Sequence, residues 1–419
     1  MERLRLWSVM AVLLLLCASS RVSAYSVLAH EALIDAAWSD QLEPILRQRF
    51  PNATPEAVRH ARAYAYGGSL IQDLGYYPFG SRFFSNLVHY VRSGDFVAAL
   101  LRESQSIDDY AFALGALAHY SSDVVGHPVA VNRALPLMYP KLREKFGPEV
   151  LYANARSRHV MVEFSFDVLQ VARGTFKADA YQDLIGFEVA KPVLERAFHV
   201  TYGLDLKDVF GDVDLAIGTY RKAASEIVPD VTRVAWRDKR KEILAATPDV
   251  TERNFVYTLT RRQYDDAFGT NYRKPGILAK VVVAMFKVLP KFGPFRTLAF
   301  EPLTPEAEKL FLDSFAGSRE HYQRVLRTVR AGRLALDDTD LDTGKRPVAG
   351  ANPLADDTYR QLLSKLADKK FAGVSPPLRA AINEHFATRT STPNVGARPS
   401  TYDKKTTRNL AALNLIPPR

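Results

Sequence analysis

Three side chains able to bind a metal recur four residues apart in Ala116-Leu117-Ala118-His119-Tyr120-Ser121-Ser122-Asp123-Val124-Val125-Gly126-His127. On an α-helix each step of four residues turns about 40° beyond a full turn, so His119, Asp123 and His127 share one narrow face. The segment from Tyr110 to Ala118 carries no charge, which predicts that this face is buried. Unpaired imidazoles and a carboxylate are costly to bury together. Two arrangements relieve that cost: a shared divalent cation, or a hydrogen-bonded His–Asp–His ladder inside a core. His159-Val160-Met161-Val162-Glu163 repeats the four-residue spacing, with Asp167 one turn further. Alone, that pair reads equally as metal ligands or as a surface salt bridge.

Further candidates lie upstream. Gly67-Gly68-Ser69-Leu70-Ile71-Gln72-Asp73-Leu74-Gly75-Tyr76-Tyr77-Pro78 is expected to be a loop that fixes Asp73. His89 stands in the apolar stretch Phe84-Ser85-Asn86-Leu87-Val88-His89-Tyr90, where a satisfied core histidine is the competing reading. His30 closes Tyr25-Ser26-Val27-Leu28-Ala29-His30. If the chain is cut before Tyr25, the new α-amino group and the Tyr25 carbonyl form a five-membered chelate, and His30 follows little more than one helical turn later. A frayed start bearing a surface histidine is the alternative.

The expectation of a cut comes from residues 1–24. Arg3 and Arg5 precede the short apolar run Val9 to Leu16, which is too short for a stable bilayer span. Val22-Ser23-Ala24 then suits signal peptidase. Export with cleavage between Ala24 and Tyr25 follows as an expectation, to the periplasm or the exterior, and an uncleaved amino-terminal anchor is the competing reading. Cleavage removes Cys17, the only cysteine, so zinc in the mature chain would need nitrogen and oxygen ligands.

The rest of the chain must supply the scaffold. With 419 residues and 47% hydrophobic content, a sizeable core is feasible and global disorder is excluded. The net charge of +10 favours anionic partners such as phospholipid headgroups or nucleic acid, and serves equally as solubility charge. Apolar residues recur at spacings of three and four, as in Ala111-Leu114-Leu117-Ala118, and no alternating β pattern dominates. The spacing predicts an all-α fold, with helices near 29–49, 55–65, 82–92, 93–103, 106–133, 138–146, 155–173, 178–198, 212–228, 233–245, 276–288, 304–333, 358–369 and 376–387. The metal-type residues fall within 25–165 of a helical domain spanning 25–335. Residues 336–419 read as a linker, short helices and a mobile tail. Pro275 to Phe300 mixes apolar residues with Lys280, Lys287, Lys291 and Arg296, as a segment lying on a lipid surface would, or an ordinary packed helix.

Order and spacing together resemble the zinc-dependent phospholipase C superfamily. It also contains the single-strand-specific zinc nucleases and the catalytic region of glycosylphosphatidylinositol-specific phospholipase D. The resemblance spans Tyr25 to about Glu163 and is most specific in His119-x3-Asp123-x3-His127 followed by His159-x3-Glu163. It implies a multi-helix fold of that superfamily, here with extra C-terminal helices, holding three zinc ions. By position, Asp73, His89 and His119 would hold the first ion. Asp123 would bridge it to a second, shared with His30 and the amino and carbonyl groups of Tyr25. His127, His159 and Glu163 would hold the third. The short Asp123-to-His127 spacing is similar to the phospholipase D-like branch. The implied activity is phosphodiester hydrolysis, with Asp123 and Asp73 as catalytic residues and Asp73 as either ligand or general base. The substrate implied first is phospholipid; a single-strand nuclease or 3′-nucleotidase is the alternative. A non-catalytic exported helical protein with structural zinc is a reading of another class. Tyr76, Tyr77, Phe79, Phe83 and Phe84 would rim a cleft or fill the core.

Overall fold

A computed structural model describes residues 27–77, 79–172, 188–222, scattered positions between 236 and 252, 303–387 and 404–417. The expected leader at 1–24, the chelating Tyr25, the lipid-surface segment 275–300 and the predicted helix at 276–288 lie outside the described residues. The all-α class holds: the described residues contain no strand, only an isolated bridge between Asp340 and Lys345. No described helix is long and apolar enough to cross a membrane.

The helix starts follow local chemistry. Helix α1 is Val27–Ala37 and α2 is Glu43–Arg49, joined by a π turn at Trp38–Leu42. Helix α3 is Pro55–Leu70, where the Thr54 hydroxyl accepts from the Ala57 N–H and Pro55 opens the first turn. Ser81 caps α4 (Arg82–Tyr90) in the same manner. Helix α5 is Ser93–Glu103. Ser106 caps α6 (Ile107–Gly126), and Asp108 and Asp109 favour its positive end.

Beyond α6 the chain makes a π turn, His127–Val131, and runs on as α7 (Asn132–Met138). The single helix predicted at 106–133 is therefore interrupted. Pro128, inside the turn, has no N–H to continue the ladder. The α register persists as far as the site requires, since the His127 N–H still donates to the Asp123 carbonyl.

Helix α8 is Pro140–Phe146, and α9 is Tyr152–Ala172 with a break in helical dihedrals at Ala155. Then come α10 (Lys191–Tyr202), α11 (Val213–Lys222) and α12 (Pro305–Arg330), the last capped by Thr304. Helices α13 (Pro353–Asp368), α14 (Pro376–Ala387) and α15 (Lys404–Leu415) complete the described chain. The last differs from the expected mobile tail. Helix α15 packs on α13, and its Leu413 is fully buried. The Asn383 amide also donates to Asn414 at 2.9 Å.

Helix α6 is the axis, buried along almost all its length and packed most extensively on α3 and α12. Two glycines permit the α3–α6 approach. A Cβ on Gly68 would lie 1.9 Å from the Phe112 carbonyl oxygen, and one on Gly115 would lie 1.9 Å from the Ala65 carbonyl oxygen. The two backbones thus touch with no side-chain layer between them.

The main core draws on α1 through α6 and on α10, α12 and α13. A smaller core joins α1, the π turn, α7, α9 and α12 through Leu28, Val131, Leu135, Val162, Phe166 and Phe311.

Candidate metal centre

The expected ligands within the described residues converge from six elements. His30 sits on the first turn of α1, whose leading N–H groups at Leu28 and Ala29 donate to the Asp167 carboxylate at 2.8 and 3.2 Å. Asp73 lies in a 3₁₀ turn, Ile71–Tyr76, that directly continues α3. This corrects the expected loop: Gly67 and Gly68 are helical and serve the packing against neighbouring backbone. The turn is bolted on two sides. The Gln72 side chain donates to the Ala116 carbonyl on α6 at 3.0 Å. The Ser85 hydroxyl on α4 donates to the Gln72 carbonyl and accepts from the Gly75 N–H at 2.9 Å. His89 comes from α4, His119 and Asp123 from α6, His127 from the π turn, and His159 and Glu163 from α9 beyond its break.

Asp123 is the hub. Its Oδ1 lies 3.6 Å from His30 Nε2. Its Oδ2 lies 3.1 Å from His119 Nε2, 3.5 Å from His89 Nε2 and 3.6 Å from His127 Nε2. Asp73 Oδ1 is 3.5 Å from His89 Nε2. Glu163 Oε1 is 3.3 Å from His159 Nε2 and 3.9 Å from His127 Nε2. Three sets each bring their ligand atoms within 4.8 Å of one another: Asp73 with His89 and His119, His30 with His119 and Asp123, and His127 with His159 and Glu163.

The donor chemistry fits divalent cations. His119 Nδ1 lies 2.8 Å from the Ser69 carbonyl, and His89 Nδ1 lies 2.7 Å from the Ser85 carbonyl. A carbonyl oxygen only accepts, so Nδ1 carries the proton on both rings and each Nε2 presents a lone pair. Those two Nε2 atoms are 3.3 Å apart, facing Asp123, with no donor between them. Both oxygens of Asp123, both of Glu163, Oδ1 of Asp73 and both ring nitrogens of His159 are buried without a hydrogen-bond partner. Buried polar atoms of folded proteins nearly all have partners. A concentration of orphaned acceptors around stacked imidazoles is relieved by cations, and a hydrogen-bonded ladder does not relieve it.

Burial dominates the acid–base behaviour of the cluster. It pushes His30 well below the ordinary imidazole range, assisted by His119, and lowers His89. It takes His159 down to about 3, helped by the neighbouring His127. It raises the Asp73 and Glu163 carboxyls well above their usual range, with Asp123 adding to the rise of Asp73. Two groups run the other way. Burial pushes Asp123 up, but His119 and His127 prevail and hold it well below the usual carboxylate range. Burial pushes His127 down, but Asp123 and the bond to Asp342 lift it to about 10. Without cations the centre is thus an Asp123⁻–His127⁺ pair among groups driven toward neutrality.

Of the aromatic residues expected at a cleft, Tyr76 is buried with its ring 5.9 Å from that of His89. Phe84 belongs to the core, packed on Phe198 and Phe210. The Tyr77 ring lies tilted against that of Tyr220 with centroids 3.9 Å apart, and Phe79 is 40% exposed. Sequence reasoning missed Tyr152, whose ring lies 5.4 Å from His159, and Asp342, which meets His127. Asp342 stands in an acidic loop far along the chain that carries no spacing relation to any histidine.

An all-helical scaffold holding clustered imidazoles and carboxylates points to a class, and one comparison agrees with it. The family model for zinc dependent phospholipase C matches residues 29–212, which supports the zinc-dependent phospholipase C superfamily for that region. The match contains every described candidate ligand from His30 to Glu163 and ends before α12. Neither curated proteins nor solved structures gave a match. That family implies zinc-dependent, phospholipase C-like hydrolysis, with phospholipid as its general substrate class.

Proposed function

We propose that the protein hydrolyses phospholipid at the phosphodiester, releasing a phosphorylated headgroup, with a centre of three zinc ions. The observation that supports this best is the presence of three ligand sets in the buried cluster, two of them sharing His119, with the two oxygens of Asp123 turned to different partners. Asp73, His89 and His119 would hold one ion, with Asp123 shared between it and the next. His30, Asp123 and the freed Tyr25 terminus would hold the second, and His127, His159 and Glu163 the third. Bound there, zinc supplies Lewis-acid polarisation of a phosphoryl oxygen and acidification of water.

The remaining roles belong to the chain. Asp123 stays anionic and holds the His30 and His119 sides in register. The Ser69 and Ser85 carbonyls fix the His119 and His89 tautomers. Asp73 is the carboxylate with most residual exposure in the cluster, at 4%, against 0% for Asp123 and 1% for Glu163. It serves either as a ligand or as the group that accepts a proton from water. Tyr76 and Tyr152, with ring centroids 6.0 Å apart, form an aromatic wall beside His89 and His159 that excludes solvent. The apolar, basic segment 275–300 is the proposed lipid contact on its sequence alone.

The test is a zinc count on processed protein together with a substrate panel. Phosphatidylcholine vesicles, single-stranded DNA and a 3′-nucleotide would be assayed with added zinc. Hydrolysis of the vesicles alone, with about three ions per chain, is the expected result. Turnover of DNA or nucleotide instead assigns the nuclease reading. Zinc without any turnover assigns a structural role, since closed sites leave no position for water.

A further inference from the structure

Two histidines of the centre, His89 and His119, rest Nδ1 on backbone carbonyls inside the family-matched region. His127 differs. Its Nδ1 faces a carboxylate oxygen, Asp342 Oδ1, at 3.4 Å, from a loop 215 residues away that lies outside the match. Asp342 is buried and fixed on its other sides. Its Oδ2 accepts from the Tyr152 N–H at 3.0 Å, and its carbonyl accepts from the Asn132 side chain at 2.6 Å. Its own N–H donates to Asp340 Oδ1 at 3.0 Å. The loop is also tied to the histidine helices: the Leu341 N–H donates to the His89 carbonyl at 3.0 Å, and the Ser93 hydroxyl meets the Thr339 carbonyl at 2.5 Å.

The spacing Asp338-x-Asp340-x-Asp342 is that of a cation loop, but its oxygens are engaged within the protein. Asp338 Oδ1 accepts from the Asp95 N–H. Asp340 Oδ1 accepts from the Asp342 and Thr343 N–H groups, and its Oδ2 accepts from Asn352. Asp342 Oδ1 is the one oriented toward a ligand.

We propose that Asp342 is the positioning carboxylate of His127, so that the third ion site is completed from the C-terminal third of the chain. By accepting the Nδ1–H it directs Nε2 toward Glu163 and Asp123, 3.9 and 3.6 Å away. It also makes the imidazole a stronger donor, as a carboxylate behind a metal-bound histidine does. The inference rests on the zinc reading of the centre.

The experiment compares wild type, Asp342→Asn and Asp340→Asn. Zinc affinity is measured by competition with a chromophoric chelator, and the fold of the zinc-free proteins by circular dichroism. Asp340→Asn disturbs the same loop and touches no histidine. The expected result is one class of zinc weakened ~10–100-fold in Asp342→Asn alone, with the zinc-free fold unchanged. Equal weakening in both variants, or none in Asp342→Asn, overturns the proposal. Wild type without zinc overturns the zinc reading itself, which is a separate outcome. Should Asp342→Asn not fold, ¹⁵N-histidine spectra of zinc-loaded wild type decide the matter. His127 protonated at Nδ1 and ligated at Nε2 supports the role, and the reverse tautomer overturns it.

Discussion

Replacing Asp123 by Asn keeps size and shape at the hub and removes its charge. Oδ1 faces His30 and Oδ2 faces His89 and His119, so the change strikes two ligand sets at once. Partners one shell outside a metal are worth ~10–100-fold in affinity. A shared direct ligand should cost at least the upper end, ~100-fold or ~2.7 kcal/mol at each of the two sites. With free zinc buffered at about 100 times the wild-type dissociation constant, each affected site then falls to about half occupancy. Both are filled together in only about a quarter of molecules, so turnover drops about four-fold from occupancy alone and further from the lost charge. Metal content after chelator-buffered dialysis and hydrolysis of a chromogenic phosphodiester read the two effects. Folded Asp123→Asn protein with the full zinc complement and the wild-type rate would refute the reasoning.

Zinc uptake should release protons. His127, lifted to about 10, is charged at neutral pH and must lose its proton to ligate, and the raised Asp73 and Glu163 carboxyls add to the release. Affinity therefore climbs with pH until His127 is neutral, and calorimetry in buffers of different ionisation heat should give a positive proton count. The zinc-free fold should show the opposite trend. A raised imidazole stabilises below the unfolded value and loses that contribution as pH rises through about 10. The raised carboxyls likewise lose stability as they ionise, so the gain in melting temperature on adding zinc should widen from neutral to alkaline pH, above the range where protonating the depressed His30, His89 and His159 unsettles the zinc-free fold. Blocking cleavage with Ala24→Leu should leave a chain short of about one zinc per molecule and inactive, because a peptide amide nitrogen does not chelate as a free amine does. Amino-terminal sequencing beside the zinc count checks this. Gly115→Ala places a Cβ at 1.9 Å from the Ala65 oxygen, where ~3.3 Å is comfortable. Forcing the helices apart should cost ~1–3 kcal/mol, visible as a lowered urea midpoint.

The chemistry was legible wherever it repeated within one helix. The spacing of His119, Asp123 and His127 needs only the helical period to read as one face, and the uncharged stretch before it foretold burial. Single residues were less legible. His89 reads from sequence as a core histidine as readily as a ligand, because its meaning depends on α6 lying across it. Glycines suggest turns, so the sequence around Asp73 reads as a loop; here they are spent on helix contact, a tertiary use that no local pattern reveals. The interruption at Pro128 displaced the predicted end of α6 but left His127 in register. Asp342 was beyond reach, since a contact spanning 215 residues leaves no periodic trace.

Where α3 and α6 meet at Gly68 and Gly115, there are no rotamers to rearrange. The distance from Ser69 to the His119 ring is consequently dictated by main chain resting on main chain, much as a machined spacer sets a gap. Substitutions elsewhere in the helical shell can be absorbed by neighbouring side chains before any of that displacement reaches the imidazoles. The protein can therefore vary widely in its outer layers while its innermost dimensions stay put.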